Sequence, residues 1–157
     1  MPRTKVMHRR SILAFSLLSF LAFPAWAGQS GTAEDAIAMT QKAVAYLKQT
    51  SPEVAYSEIT AKSPRFVDRD LYVVVYDLSG NCLAHGANPK LVGKNLIDAQ
   101  DVDGTYYIRE RISLAEKKDK FWHDYKFTDP STRKISRKST YCERADSVIV
   151  CVGIYKP

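Results

Sequence analysis

Residues 71–104, LYVVVYDLSGNCLAHGANPKLVGKNLIDAQDVDG, limit the choice of fold more than any other stretch of the chain. They open on a β-rich run, residues 71–76, whose tyrosine and valines suit a pleated, half-buried surface. Asp77-Leu78-Ser79-Gly80-Asn81 then combines a short acceptor side chain with a glycine able to take positive φ, which predicts a turn. Residues 82–85 predict a second short strand running back along the first, so the pair reads as a hairpin. Alternation then stops. Gly86, Asn88-Pro89 and Gly93-Lys94-Asn95 break up a long connection that ends at Asp101-Val102-Asp103-Gly104. A connection of this length over a sheet covers a pocket or has a function of its own.

The flanking segments complete an α+β pattern. Thr32 is a good N-cap with Asp35 at the capping-box position, and Ala36, Ile37, Val44 and Leu47 share a helical face, predicting a helix over residues 33–49. Ser51-Pro52 predicts the start of a short helix to about residue 59. Residues 106–118 read as an amphipathic helix with Arg109, Glu110, Arg111 and Glu116 on its outer face. Residues 121–127 alternate aromatics as a strand, and residues 137–142 and 148–155 form a closing hairpin around Glu143-Arg144-Ala145-Asp146. Five strands, with helices at the start and in the middle, predict an α+β domain.

The first 27 residues stand apart. Arg3, Lys5, Arg9 and Arg10 precede an apolar core at residues 12–23, and Ala25-Trp26-Ala27 supplies a small-x-small cleavage signal. The apolar core is short of the ~20 residues a membrane span needs. This reads as a cleaved secretory signal that leaves a periplasmic domain at residues 28–157, with an uncleaved anchor as the alternative. Four of the 23 basic residues sit in that segment, so the formal charge of +6 falls to +2, or 19 basic against 17 acidic residues, in the remainder. No broad basic face results, which argues against a nucleic-acid partner.

Export places the three cysteines in an oxidising compartment, and an odd count leaves at least one unpaired. With the last hairpin centred near Ala145, Cys151 stands opposite Ser139. Cys142 and Cys151 are then offset by ~10 Å along the strands, beyond the ~7 Å a disulfide spans. The expectation is three buried, unpaired cysteines, with a disulfide as the alternative.

Several groups could carry chemistry. Cys82 and His85 lack the second Cys/His pair of a zinc site, and Asp101-Val102-Asp103-Gly104 lacks the later ligands of a calcium loop. Gly93-Lys94-Asn95 lacks the spacing of a phosphate loop. No nucleophile–base constellation indicates an enzyme, and no metal or cofactor is expected. Trp122, Tyr125, Tyr141 and Lys138 can wall a small cavity and aim hydroxyls and an ammonium at a carboxylate, with ordinary aromatic core as the competing reading. Strand parity separates Lys138 from Tyr141 and Trp122 from Tyr125. Tyr125 and Tyr141 are the favoured pocket hydroxyls, Lys138 and Trp122 are further candidates, and His85 is a ligand-facing or loop-anchoring candidate, with a structural hydrogen-bonding histidine as the competing reading.

The string D-x-x-G-x-x-x-A-H-G-x-N-P-x-L-V-G-K-N-L from Asp77 to Leu96, followed by D-x-D-G, resembles the single Cache domains, PAS-like extracytoplasmic sensor modules, and among them single Cache domain 2. The resemblance continues through Trp122-His123-Asp124-Tyr125, Lys138-Ser139-Thr140-Tyr141 and Val152-Gly153-Ile154-Tyr155. It implies a five-stranded antiparallel sheet, ordered 2-1-5-4-3, with the pocket between the sheet and the long connection. It also implies a small-molecule ligand, and the expected one is a short organic carboxylate. Because the sequence stops at Pro157 with no second span, the expectation is an exported binder acting with a separate membrane sensor or transporter. The alternative is a Cache module that serves structure or protein interaction without a ligand.

Overall fold

The computed structural model describes residues 30–156. The secretory signal read in residues 1–27 lies outside them. Helix α1 (Ala33–Gln49) begins at the predicted capping box: the Thr32 hydroxyl accepts from the Asp35 N–H at 3.2 Å, and the Asp35 carboxylate accepts from the Thr32 N–H at 3.1 Å. Ser51 caps α2 (Pro52–Thr60), whose proline sits in the first turn, where its missing N–H costs nothing.

The strands are β1 (Val67–Asp68), β2 (Leu71–Asp77), β3 (Cys82–His85), β4 (Lys120–Thr128), β5 (Ile135–Ala145) and β6 (Val148–Lys156), with α3 (Tyr107–Ala115) between β3 and β4. They form an antiparallel sheet ordered β3-β2-β6-β5-β4, the order expected for the five longer strands. β1 adds a sixth, two-residue strand beside the start of β2, too short to leave an alternating pattern.

Turn chemistry pins the long connection to the hairpin. One Asp77 oxygen accepts from the N–H groups of Ser79 and Asn81, both at 2.9 Å, and Gly80 takes φ 89°. The Asn95 amide donates to the Ser79 carbonyl at 2.8 Å and to Asn81 Oδ1 at 3.0 Å, while Cys82 and Gly93–Lys94 exchange backbone bonds. Farther on, Asp101 accepts from the N–H groups of Asp103 and Thr105 and, with its other oxygen, from that of Lys126 on β4. The Gly93-Lys94-Asn95 and Asp101–Gly104 segments are therefore fasteners that hold the connection over one face of the sheet.

Alternation divides the strands between two cores. Leu71, Val73, Val75, Val150 and Val152 pack under α1 and α2 with Ala36, Ala43, Ile59 and Phe66. Tyr72, Val74, Tyr76, Ile149 and Cys151 face the other way, toward α3 and the long connection.

Two expectations fail. Cys142 and Cys151 are not free thiols: they face each other across β5 and β6, Cα atoms 4.2 Å apart, joined by a disulfide. The hairpin turns at Asp146-Ser147, with Ala145 paired to Val148 and Asp146 at φ 53°, so Cys151 meets Cys142 rather than Ser139. Closing a loop of this size restricts the unfolded chain by about 2.6 kcal/mol. Cys82 alone keeps a free, buried thiol among the described residues, and burial pushes it up to about 11.

Arg111 is not on an outer face. It is fully buried beside Tyr107, Ile108, Ile112 and Ala115. Charge type suggested solvent, but the i, i+4, i+8 line from Tyr107 to Ala115 runs through Arg111.

Candidate functional site

Register decides which candidates share a face. Tyr125 pairs with Lys138 across β4 and β5, and Trp122 pairs with Tyr141. Directly opposed residues point to the same side, so Tyr125 and Lys138 form one set and Trp122 and Tyr141 another. Parity within each strand holds, but the favoured pair of Tyr125 with Tyr141 is split between the two sides. Tyr141 donates to Glu143 Oε1 at 2.8 Å on the α1 side, and Trp122 lies against its ring, 37% exposed. Neither lines the cavity.

The cavity lies on the other side, between the sheet, α3 and the long connection. Tyr72, Val74 and Tyr76 of β2, His85 of β3, Leu91 of the connection, Tyr107 of α3, Tyr125 and Phe127 of β4, Lys138 and Thr140 of β5, and Gly153 of β6 line it. His85, Tyr125 and Lys138 are thus brought together. The lining side chains fill most of the space, leaving about 10 Å³, room for a single water. A second hollow of about 180 Å³ shares Tyr125 and Lys138 with it and opens past Asp101, Thr105 and Arg137.

Lys138 is buried and its ammonium donates to Tyr72 Oη at 2.6 Å and Tyr155 Oη at 3.1 Å. The Tyr155 hydroxyl in turn donates to the Thr128 carbonyl at 2.9 Å. An ammonium has three N–H groups, so one is left uncommitted. Burial pushes the Tyr72 and Tyr155 hydroxyls well above the usual tyrosine range, so both stay protonated at neutral pH.

His85 stacks on Tyr72, ring centroids 5.3 Å apart. Its Nδ1 accepts from the N–H groups of Ala87 and Asn88 at 3.2 and 3.0 Å, which requires a neutral ring and fixes the start of the long connection. Burial, with the Lys138 and Arg111 charges adding to it, brings His85 down to about 4.

Arg111 was missed by sequence reasoning. Its guanidinium stands 4.5 Å from the Tyr125 ring centroid and 5.5 Å from that of Tyr107, and those two rings stack at 4.9 Å. Its Nε and Nη2 have no hydrogen-bond partner, and the Thr140 hydroxyl is also unpaired. Burial would raise the Tyr125 hydroxyl, but Arg111 and then Lys138 overcome it and hold the group below its ordinary value.

No carboxylate lines the cavity, and among the described residues no ion pair neutralises Arg111 or Lys138. Two buried cations with free N–H groups and no counter-charge are costly to desolvate, and an anion offsets that cost. The arrangement can bind a small anion.

A family model described as Single Cache domain 2 matches residues 28–155. Among solved structures, a methyl-accepting chemotaxis protein from Vibrio parahaemolyticus RIMD 2210633 superposes with a TM-score of 0.67 at 23% identity, over 78% of this chain and 86% of that one. A Cache chemosensory domain studied for carboxylic acid recognition superposes with a TM-score of 0.66 at 22% identity, over 79% of this chain and 92% of that one. The periplasmic sensor domain of a chemotaxis protein gives 0.64 at 20% identity, over 79% and 90%. These likenesses establish the PAS-like Cache fold. The methyl-accepting chemotaxis protein McpP of Pseudomonas putida is 30% identical over 76 residues, which is 48% of this chain and 14% of that protein.

Proposed function

Because the chain belongs to the single Cache domain 2 family, whose members are extracytoplasmic sensory domains, we propose that it binds a short organic carboxylate and acts with a separate membrane sensor or transporter. The observation that carries this reading is the buried Lys138 ammonium in a cavity lined by no carboxylate, with the buried Arg111 guanidinium against the Tyr107 and Tyr125 rings that wall it. The Lys138 ammonium and the Arg111 guanidinium would take the carboxylate oxygens, with the Tyr125 hydroxyl between them. Tyr72, Tyr107 and Phe127 would enclose the short alkyl part and exclude water. The cavity is too small for a ligand as it stands, so binding requires its lining on the side of the long connection to move, and the hollow beside Tyr125 is the natural access route. Among the described residues no helix is long and apolar enough to cross a membrane.

A second reading is favoured by that same 10 Å³: a Cache module whose cavity is filled by its own side chains and which serves structure or protein interaction without a ligand. Thermal shifts with formate, acetate, propionate and succinate, with amines and amides as controls, separate the two. At a hundred times its Kd a carboxylate adds about 2.7 kcal/mol, a rise of several degrees. Arg111→Met should abolish that rise while leaving the ligand-free melting temperature equal or higher, since a buried charge is replaced by an apolar side chain. No rise with any carboxylate, or a rise that survives Arg111→Met, sinks the carboxylate reading.

A further inference from the structure

On its cavity side β6 presents Ile149, Cys151 and Tyr155, but between the last two it presents only the backbone of Gly153. Gly153 pairs directly with Thr140, next to the Lys138–Tyr155 pair. A Cβ built at Gly153 would lie 2.3 Å from Lys138 Cε, 3.2 Å from Lys138 Cδ and 2.6 Å from Thr140 Oγ1. The glycine is not there for its backbone, since positive φ among the described glycines occurs at Gly80, Gly93 and Gly104. It is there for space: the aliphatic stem of Lys138 lies across the bare backbone. Any side chain would lift the stem, and the ammonium would lose its reach to the Tyr72 and Tyr155 hydroxyls.

We propose that Gly153 is a positioning residue, a slot in β6 that seats Lys138 and aims its ammonium into the cavity. Its effect on ligand affinity rests on the carboxylate reading above; its effect on Lys138 does not. The slot holds the stem along the sheet, so the ammonium meets a ligand from a fixed direction instead of sampling several rotamers.

Two measurements on Gly153→Ala test this. The first needs no ligand. Lys138 is 3% exposed, so it should resist acetylation in the native wild type while exposed lysines react, as read by mass spectrometry. In Gly153→Ala, Lys138 should become reactive. The second is a double-mutant cycle with Lys138→Met, using acetate and propionate in calorimetry. Gly153→Ala should weaken binding about tenfold when Lys138 is present, equivalent to one hydrogen bond to a charged group. It should weaken binding no further when Lys138 is methionine.

Continued protection of Lys138 in Gly153→Ala overturns the proposal. So does an equal loss of affinity in both backgrounds, which would mean that the added methyl only fills the cavity. If wild type binds neither probe, the carboxylate reading fails, and the acetylation pattern still decides the role of Gly153. If Gly153→Ala does not fold, adding Lys138→Ala removes Cδ and Cε and should restore folding. Failure to do so would make Thr140 the obstacle and overturn the assignment to Lys138.

Discussion

On the α1 side of the sheet, Val73, Val75, Val150 and Val152 close on Ala36, Ala43, Ile59 and Phe66 in an apolar cluster without a charge. On the other side the same strands offer Tyr72, Tyr76 and Gly153, and with β4, β5 and α3 they bury Tyr107, Lys138 and Arg111. The buried polar groups on the first side are satisfied, Thr40 by the Ala36 carbonyl and Glu143 by Tyr141 and Lys120, so each buried methylene there adds stability. The second holds cations whose donors are left open, which lowers stability in the ligand-free protein and keeps binding capacity in reserve. One sheet therefore separates the work of folding from the work of recognition, strand residue by strand residue.

The largest expected effect probes the folding side. Phe66 is fully buried and its ring packs 5.4 Å from that of Tyr46. Phe66→Ala should cost about 3–5 kcal/mol in urea unfolding, while the affinity for whichever carboxylate stabilises the wild type stays put. A parallel loss of affinity would break the separation.

The next effect belongs to the recognition side and depends on pH. His85 has a folded-state value of about 4 against an ordinary 6.5, so the unfolded chain binds the proton first as pH falls. The stability contributed by a neutral His85 is complete above about pH 6.5 and is lost as pH drops toward 4. Between pH 7 and pH 5 that loss is about 2 kcal/mol. His85→Gln keeps an acceptor for the Ala87 and Asn88 N–H groups and should flatten this part of the profile. Identical profiles for the two proteins would show that His85 is not buried as a neutral acceptor.

The smallest effect tests the candidate that register moved away from the cavity. Tyr141→Phe removes the hydrogen bond to Glu143, a buried carboxylate that keeps Lys120 at 3.2 Å. It should lower stability by about 1.5 kcal/mol and leave carboxylate affinity unchanged. An affinity loss there would put Tyr141 back in the site and the face assignment in error.

Much of the fold was legible because local chemistry decides it. The capping box at Thr32 and Asp35, the Ser51-Pro52 start of α2 and the turn at Asp77–Asn81 are short-range hydrogen-bond patterns, and each formed where its residues predicted. The site was legible in part. His85, Tyr125 and Lys138 were singled out and lie together; Trp122 and Tyr141 were singled out and lie elsewhere. Arg111 had a signal in its helical spacing, but its charge outweighed that signal.

By itself the sequence determined where the helices and the five longer strands form, and that neighbours on one strand alternate in direction. It also determined that Lys138 and Tyr141 cannot share a face, because the side-chain period of a strand is two. Tertiary structure alone decided how one strand's alternation aligns with the next. A two-residue turn at Asp146-Ser147 set Cys142 against Cys151, and the β4–β5 register set Tyr125 against Lys138. A shift of one residue in either pairing exchanges inside for outside at every position, at no cost that the local sequence registers. Packing of the whole sheet against α1 on one side and α3 on the other is what makes one register far lower in free energy than the rest.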